Sequence, residues 1–222
     1  MYFATTRSGR VVVVKGPLPS VEAAENAIEM ADWKSRHGIP HVATTCVQLV
    51  PDRWPEGVAL GLRNRIARDQ PAPFLVAASL LTVAQLTSCR RTHSSKLWPA
   101  TEVFDDAQAG LHLRFESLSL QQMKDYVRAL LARWVYGTSD LADRNFLLSS
   151  GRVYSIDEEM RGHPVSFGVE LKSKRCNAVA AWVSTHYASL GVHEWVFASA
   201  ELAARASKLA DKSFVLGLFQ AK

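Results

Sequence analysis

The residues best placed to do chemistry fall in one stretch, Tyr136 to Glu159, which reads YGTSDLADRNFLLSSGRVYSIDEE. Asp140 and Asn145 stand five residues apart in a polar loop, because Gly137, Thr138 and Ser139 close the helix before it. Asp157 follows twelve residues after Asn145, at the end of a short apolar strand. Two carboxylates and an amide in this order suit phosphoryl transfer. One carboxylate orients and deprotonates an acceptor hydroxyl, while the amide and the second carboxylate hold Mg²⁺ against nucleotide phosphates.

The flanking elements must position that set. Leu118 to Tyr136 reads as a strongly amphipathic helix, with Met123, Val127, Leu130, Leu131 and Trp134 on one stripe. Phe146 to Leu148 and Val153 to Ile156 are apolar strands joined by Ser149-Ser150-Gly151-Arg152, a hairpin signal. After Asp157 the chain is mostly helical, over Leu171 to Leu190 and Ala198 to Leu216.

The amino-terminal part is different. Met1 to Thr6 and Val11 to Lys15 form a hairpin about Arg7-Ser8-Gly9-Arg10. Ser20 is an N-cap for a helix over Val21 to Arg36, with Val21, Ala24, Ile28 and Ala31 as its expected buried face. His41 to Val50, Val58 to Ile66 and Pro73 to Ala77 read as further strands, and Thr82 to Asp106 as an irregular polar segment. The expectation is α+β: a small sheet with one helix over residues 1–78, then a mostly helical part over 79–222.

The Tyr136 to Glu159 stretch resembles the catalytic segment of the protein-kinase-like phosphotransferases, in particular their aminoglycoside/choline kinase and lipid-kinase branches. Those families carry a D-x-x-x-x-N loop, a hairpin and an I-D motif, matched here by Asp140 to Asn145 and by Gly151 to Glu159. The resemblance implies a compact two-lobed fold, with 1–78 as the N-lobe and 79–222 as the C-lobe. It implies Asp140 as catalytic base, Asn145 and Asp157 as metal ligands, and Glu159 as a group that orients them or meets a second metal. It also implies Lys15 as the phosphate-binding lysine, Glu29 (or else Glu25) as the acid that holds it, and Phe74 to Ala77 as the hinge that meets adenine. Phe74 and Val76 are its nucleotide contacts, and ATP and Mg²⁺ its cofactors. The acceptor is a hydroxyl of a protein or small molecule.

The sequence also departs from that pattern. Thr138-Ser139 stand where a histidine and its neighbour precede the catalytic acid, Ala142 replaces a basic residue, and no G-x-G-x-x-G precedes Lys15. A catalytically inactive, kinase-like binding scaffold is therefore the alternative reading. A third reading is a basic nucleic-acid or ribonucleoprotein module, which rests on the net charge of +5 and pI near 9.2. The basic residues are scattered and lack interleaved aromatics, which argues for a solvated surface.

Composition excludes several classes. The 222 residues are 48% hydrophobic and 21% charged, with mean hydropathy −0.03, so the chain is neither disordered nor fibrous. No apolar run approaches the ~18 residues of a membrane span. Cys46, Cys89 and Cys176 are odd in number and lack a C-x-x-C pair, which fits a reducing, cytoplasmic setting. The seven histidines lack metal spacing, and no G-x-S-x-G elbow exists.

Overall fold

The computed structural model describes residues 2–5, 11–15, 18, 20–48, 73–78, 118–138, 140, 141, 145–149, 151–156, 158, 161–164, 166–171 and 173–220. Two units emerge. One takes the described residues of Met1–Asp32 and Val42–Ala107, the other those of Trp33–His41 and Gln108–Lys222. The division therefore runs through a helix, between Asp32 and Trp33.

The first unit is built on four antiparallel strands, β1 (Tyr2–Thr5), β2 (Val11–Lys15), β3 (Thr44–Gln48) and β4 (Pro73–Ala78), in the order β1-β2-β4-β3. Lys15 lies opposite Leu75, and Val76 lies opposite Val14 on one side and Thr45 on the other. The expected strand over Val58 to Ile66 and the segment Thr82 to Asp106 lie outside the described residues.

Helix α1 (Val21–Arg36) starts where expected, with the Ala23 amide donating to Ser20 Oγ at 3.1 Å. Its buried face is Ala23, Ala24, Ala27, Met30, Ala31 and, in the last turn, Trp33 and Lys34. Val21, expected inside, is 60% exposed. Ala23, Ala24 and Ala27 instead pack with Leu18, Ile28 and Cys46.

The second unit is organised by α2 (Leu120–Tyr136), which a Ser119–Gln122 capping box opens and Gly137, at φ 74°, closes. The expected stripe of Met123, Val127, Leu130, Leu131 and Trp134 is buried, and so are Asp125 and Arg133. Strands β5 (Phe146–Ser149) and β6 (Arg152–Ser155) pair antiparallel beside α2, turning at Gly151 with φ 73°. The rest comprises α3 (Phe167–Glu170), α4 (Ser173–His186), two 3₁₀ turns (Tyr187–Leu190 and Val192–Glu194), α5 (Ala200–Lys208) and α6 (Lys212–Leu218). The helical stretch expected over Ala198 to Leu216 is two helices, separated where Asp211 caps α6 through the Ser213 amide at 2.8 Å.

An aromatic cluster belongs to this unit. Trp33 stacks on Phe197 with centroids 4.6 Å apart, meets Trp195 edge-on at 5.0 Å, and donates from Nε1 to the Val196 carbonyl at 2.8 Å. Helices alternate with strands along the chain, but every strand pairing among the described residues is antiparallel, so the fold is α+β and helix-rich. Among the described residues no helix is long and apolar enough to cross a membrane.

Candidate active site

The Asp140 to Asn145 loop is anchored through its main chain. Gly137, in the left-handed conformation, turns the chain out of α2, and the Thr138 amide returns to the Arg133 carbonyl at 2.9 Å. The Asp140 carbonyl then accepts two side-chain donors, Arg133 Nη1 at 2.7 Å and Asn145 Nδ2 at 3.0 Å. Leu141 is buried behind it, and Asn145 is 2% exposed. The Asp140 side chain itself is on the exposed side of the loop.

The hairpin joins the same unit. The Ile156 amide donates to the Asn145 carbonyl at 2.9 Å, and Arg133 Nη2 donates to the Ile156 carbonyl. One buried guanidinium therefore binds the carbonyl of the loop aspartate and the carbonyl of the residue just before Asp157. That brings Asp140, Asn145 and the end of β6 together. Asp157 and Glu159 lie outside the described residues, as do Asp143 and Arg144.

A second buried cation completes the network. Lys34, fully buried in the last turn of α1, donates to Ser155 Oγ at 2.8 Å and is ion-paired with both carboxylate oxygens of Glu158. Ser155 Oγ donates to Glu158 Oε1, and Arg133 Nε stands 3.4 Å from the same oxygen. Two fully buried cations thus share one largely buried carboxylate. Burial pushes the Lys34 ammonium down to about 8, with the Arg133 charge adding to the effect and Glu158 opposing it. Burial pushes the Glu158 carboxyl up, but Lys34 and Arg133 together outweigh it and hold it below the ordinary range.

The remaining expected residues are placed as follows. Lys15 ends β2, and of its side chain nothing is described. Glu29, expected to face inward above Trp33, is on the exposed side of α1, as is Glu25. The physical reason is helical phase. Steps of about 100° set Glu29 beyond the shoulder of the Ala23-Ala27-Met30-Lys34 face. Trp33 is buried among Trp195, Phe197, Tyr136 and His37.

Phe74 and Val76 are in β4, the inner strand between β2 and β3. Val76 lies opposite Val14 of β2 on one side and Thr45 of β3 on the other, so strands flank β4 on both edges at this position. Phe74 pairs with Val47.

Sequence reasoning missed Lys34, Arg133, Ser155 and Glu158. A signal did exist for the two cations. Lys34 falls four residues after Met30 and seven after Ala27, and Arg133 falls three after Leu130 and seven after Tyr126, so each shares a buried helical face.

For a hard cation the donor chemistry is suitable. The Nδ2 bond to Asp140 fixes the Asn145 amide and leaves Oδ1 as its acceptor end, an oxygen of the type Mg²⁺ takes. Among the described residues no three His, Cys, Asp or Glu side chains are grouped to hold a metal ion. Comparison with family models, with curated proteins and with solved structures found no match.

Proposed function

We propose that the chain is an ATP- and Mg²⁺-dependent phosphotransferase of two-lobed, protein-kinase-like fold, acting on a hydroxyl of a protein or small molecule. One observation carries the reading. The Asp140 carbonyl is held by Asn145 Nδ2 and Arg133 Nη1, and the same arginine and the Asn145 carbonyl hold the backbone of Ile156. The D-x-x-x-x-N loop and the I-D hairpin end are therefore one hydrogen-bonded unit, which is what a base and metal ligands drawn from the two motifs require.

The strand register adds support, because Lys15 stands opposite Leu75, on the strand beside the one the resemblance assigns to adenine. In this reading Asp140 takes the proton of the acceptor hydroxyl as its oxygen attacks the γ-phosphorus and the bond to the ADP oxygen breaks. Asn145 and Asp157 bind Mg²⁺, and Lys15 meets the nucleotide phosphates. The metal, when bound, neutralises charge on those phosphates.

A binding scaffold without turnover is the second reading, favoured by the lack of a G-x-G-x-x-G before Lys15. Calorimetric titration with Mg²⁺-ATP, beside an ATP-consumption assay over hydroxyl acceptors, separates the two. Saturable binding with acceptor-dependent ADP release is expected. Binding without turnover moves the conclusion to the scaffold, and no binding at millimolar Mg²⁺-ATP overturns both.

A further inference from the structure

Resting on the phosphotransferase reading, we propose that the buried Lys34–Glu158 pair is a positioning pair, which fixes the end of β6 and, through Arg133, the Asp140–Asn145 loop in working register. The contacts run without a gap. Lys34 Nζ binds Ser155 Oγ and the Glu158 carboxylate, Arg133 Nε stands 3.4 Å from Glu158 Oε1, and Arg133 Nη1 reaches the Asp140 carbonyl at 2.7 Å. Ser155 and Glu158 bracket Ile156, whose carbonyl Arg133 also binds. The last turn of α1 is thereby joined to a segment more than a hundred residues later in the chain.

Stability alone does not account for this arrangement. Two cations and one carboxylate lie in a site where Lys34 and Arg133 are fully buried. Apolar side chains of similar volume generally hold such a site as well or better, because the desolvation of buried charges offsets much of their attraction. What charged hydrogen bonds supply and apolar packing does not is direction, since each donor fixes the acceptor it meets. The α1 helix thus offers a cation, Lys34, to an acid beyond the hairpin.

The test uses the full chain and the double variant Lys34→Met with Glu158→Met, beside both single variants. Each single variant strands a buried charge and melts well below wild type, and the double variant recovers most of that loss. Its kcat with Mg²⁺-ATP nonetheless stays about 10- to 100-fold down with KM for ATP little changed, the size expected when reacting groups are misplaced by about 1 Å. The Ile156 amide, which bonds the Asn145 carbonyl, exchanges with deuterium about tenfold faster than in wild type.

A double variant with wild-type kcat and wild-type exchange at Ile156 overturns the proposal and leaves the pair a packing element. If wild type shows no turnover at all, the phosphotransferase reading falls, and the exchange rate decides the positioning claim by itself. Should the double variant fail to fold, Glu158→Gln, which keeps shape and an acceptor oxygen, is read by the same two measurements.

Discussion

Asp125 and Arg152 form a two-pronged pair, with Nε to Oδ2 at 2.6 Å and Nη2 to Oδ1 at 2.9 Å, that ties the middle of α2 to the start of β6. The carboxylate is fully buried, and it also accepts the Val153 amide at 3.3 Å and Gln121 Nε2 at 2.8 Å. Asp125→Ala removes a partner from each of these donors and leaves the Val153 amide unsatisfied inside the protein. The expected loss is about 3 kcal/mol. Arg152→Ala costs less, because its side chain is 40% exposed and the other two donors remain. Urea unfolding of both variants checks the order, and an Asp125→Ala variant as stable as Arg152→Ala refutes it.

Gly137 carries a backbone constraint that no other residue type meets. Its φ of 74° is the left-handed region, and a Cβ there would stand 2.0 Å from the Gly162 carbonyl oxygen. The two segments are already joined, since the Gly162 amide donates to the Gly137 carbonyl at 2.8 Å. Left-handed backbone costs a side chain ~1–2 kcal/mol, and the clash must also push the two backbones apart. Gly137→Ala is expected to destabilise by about 3 kcal/mol or more. Gly151→Ala, at φ 73° with nothing within 4 Å of the added carbon, loses only the conformational part. Equal melting points for the two variants would refute the close-approach argument.

The Lys34–Glu158 pair makes stability depend on pH at both ends. The Glu158 carboxyl lies below its ordinary value in the folded protein, so its contribution is present above about pH 4.5 and lost as pH falls through the folded value. Lys34 has the opposite linkage. With a folded value of about 8 against an ordinary 10.5, the unfolded chain holds more protons between those limits, so the penalty for burying the ammonium is relieved as pH rises. Relative to Lys34→Met, wild type is expected to gain up to about 3 kcal/mol from pH 8 to 10.5. Guanidinium unfolding at pH 7, 8.5 and 10 measures the difference. A constant difference across that range contradicts a buried, titrating Lys34.

These residues mark where sequence reading stops. Helix α2 and the β5–β6 hairpin were legible because an apolar stripe and the Gly151 turn are local signals, and the D-x-x-x-x-N loop is a local motif. The anchors of that loop were not. Lys34 and Arg133 lie in register with Met30 and Leu130, but a cation on a helix is ordinarily read as solvated, and it is acceptors outside the helix, among them Glu158, Ser155 and the Asp140 and Ile156 carbonyls, that make their burial tolerable. Glu29 was expected to face inward because of Trp33, and it lies on the exposed side of α1. Trp33, one turn on, is buried by Trp195 and Phe197, partners more than 150 residues away that no helical period reveals.

The loop geometry also sets what truncating Asp140 does. Arg133 Nη1 and Asn145 Nδ2 both bind its main-chain carbonyl, so Asp140→Ala leaves these anchors in place. Under the proposed function the carboxylate serves as the base for the acceptor hydroxyl, a role that contributes ~10²–10⁴ in rate. Turnover is therefore expected to fall by that factor, while the dissociation constant for Mg²⁺-ATP changes by less than about threefold, since the base does not touch the nucleotide phosphates. Asn145→Ala behaves differently. It removes one donor from the Asp140 carbonyl and the amide oxygen assigned to the metal, so binding and turnover both weaken. Calorimetry of the two variants, with ATP consumption measured in parallel, resolves the roles. Asp140→Ala losing nucleotide affinity as fully as Asn145→Ala would make Asp140 a structural residue of the loop and remove the base from the mechanism.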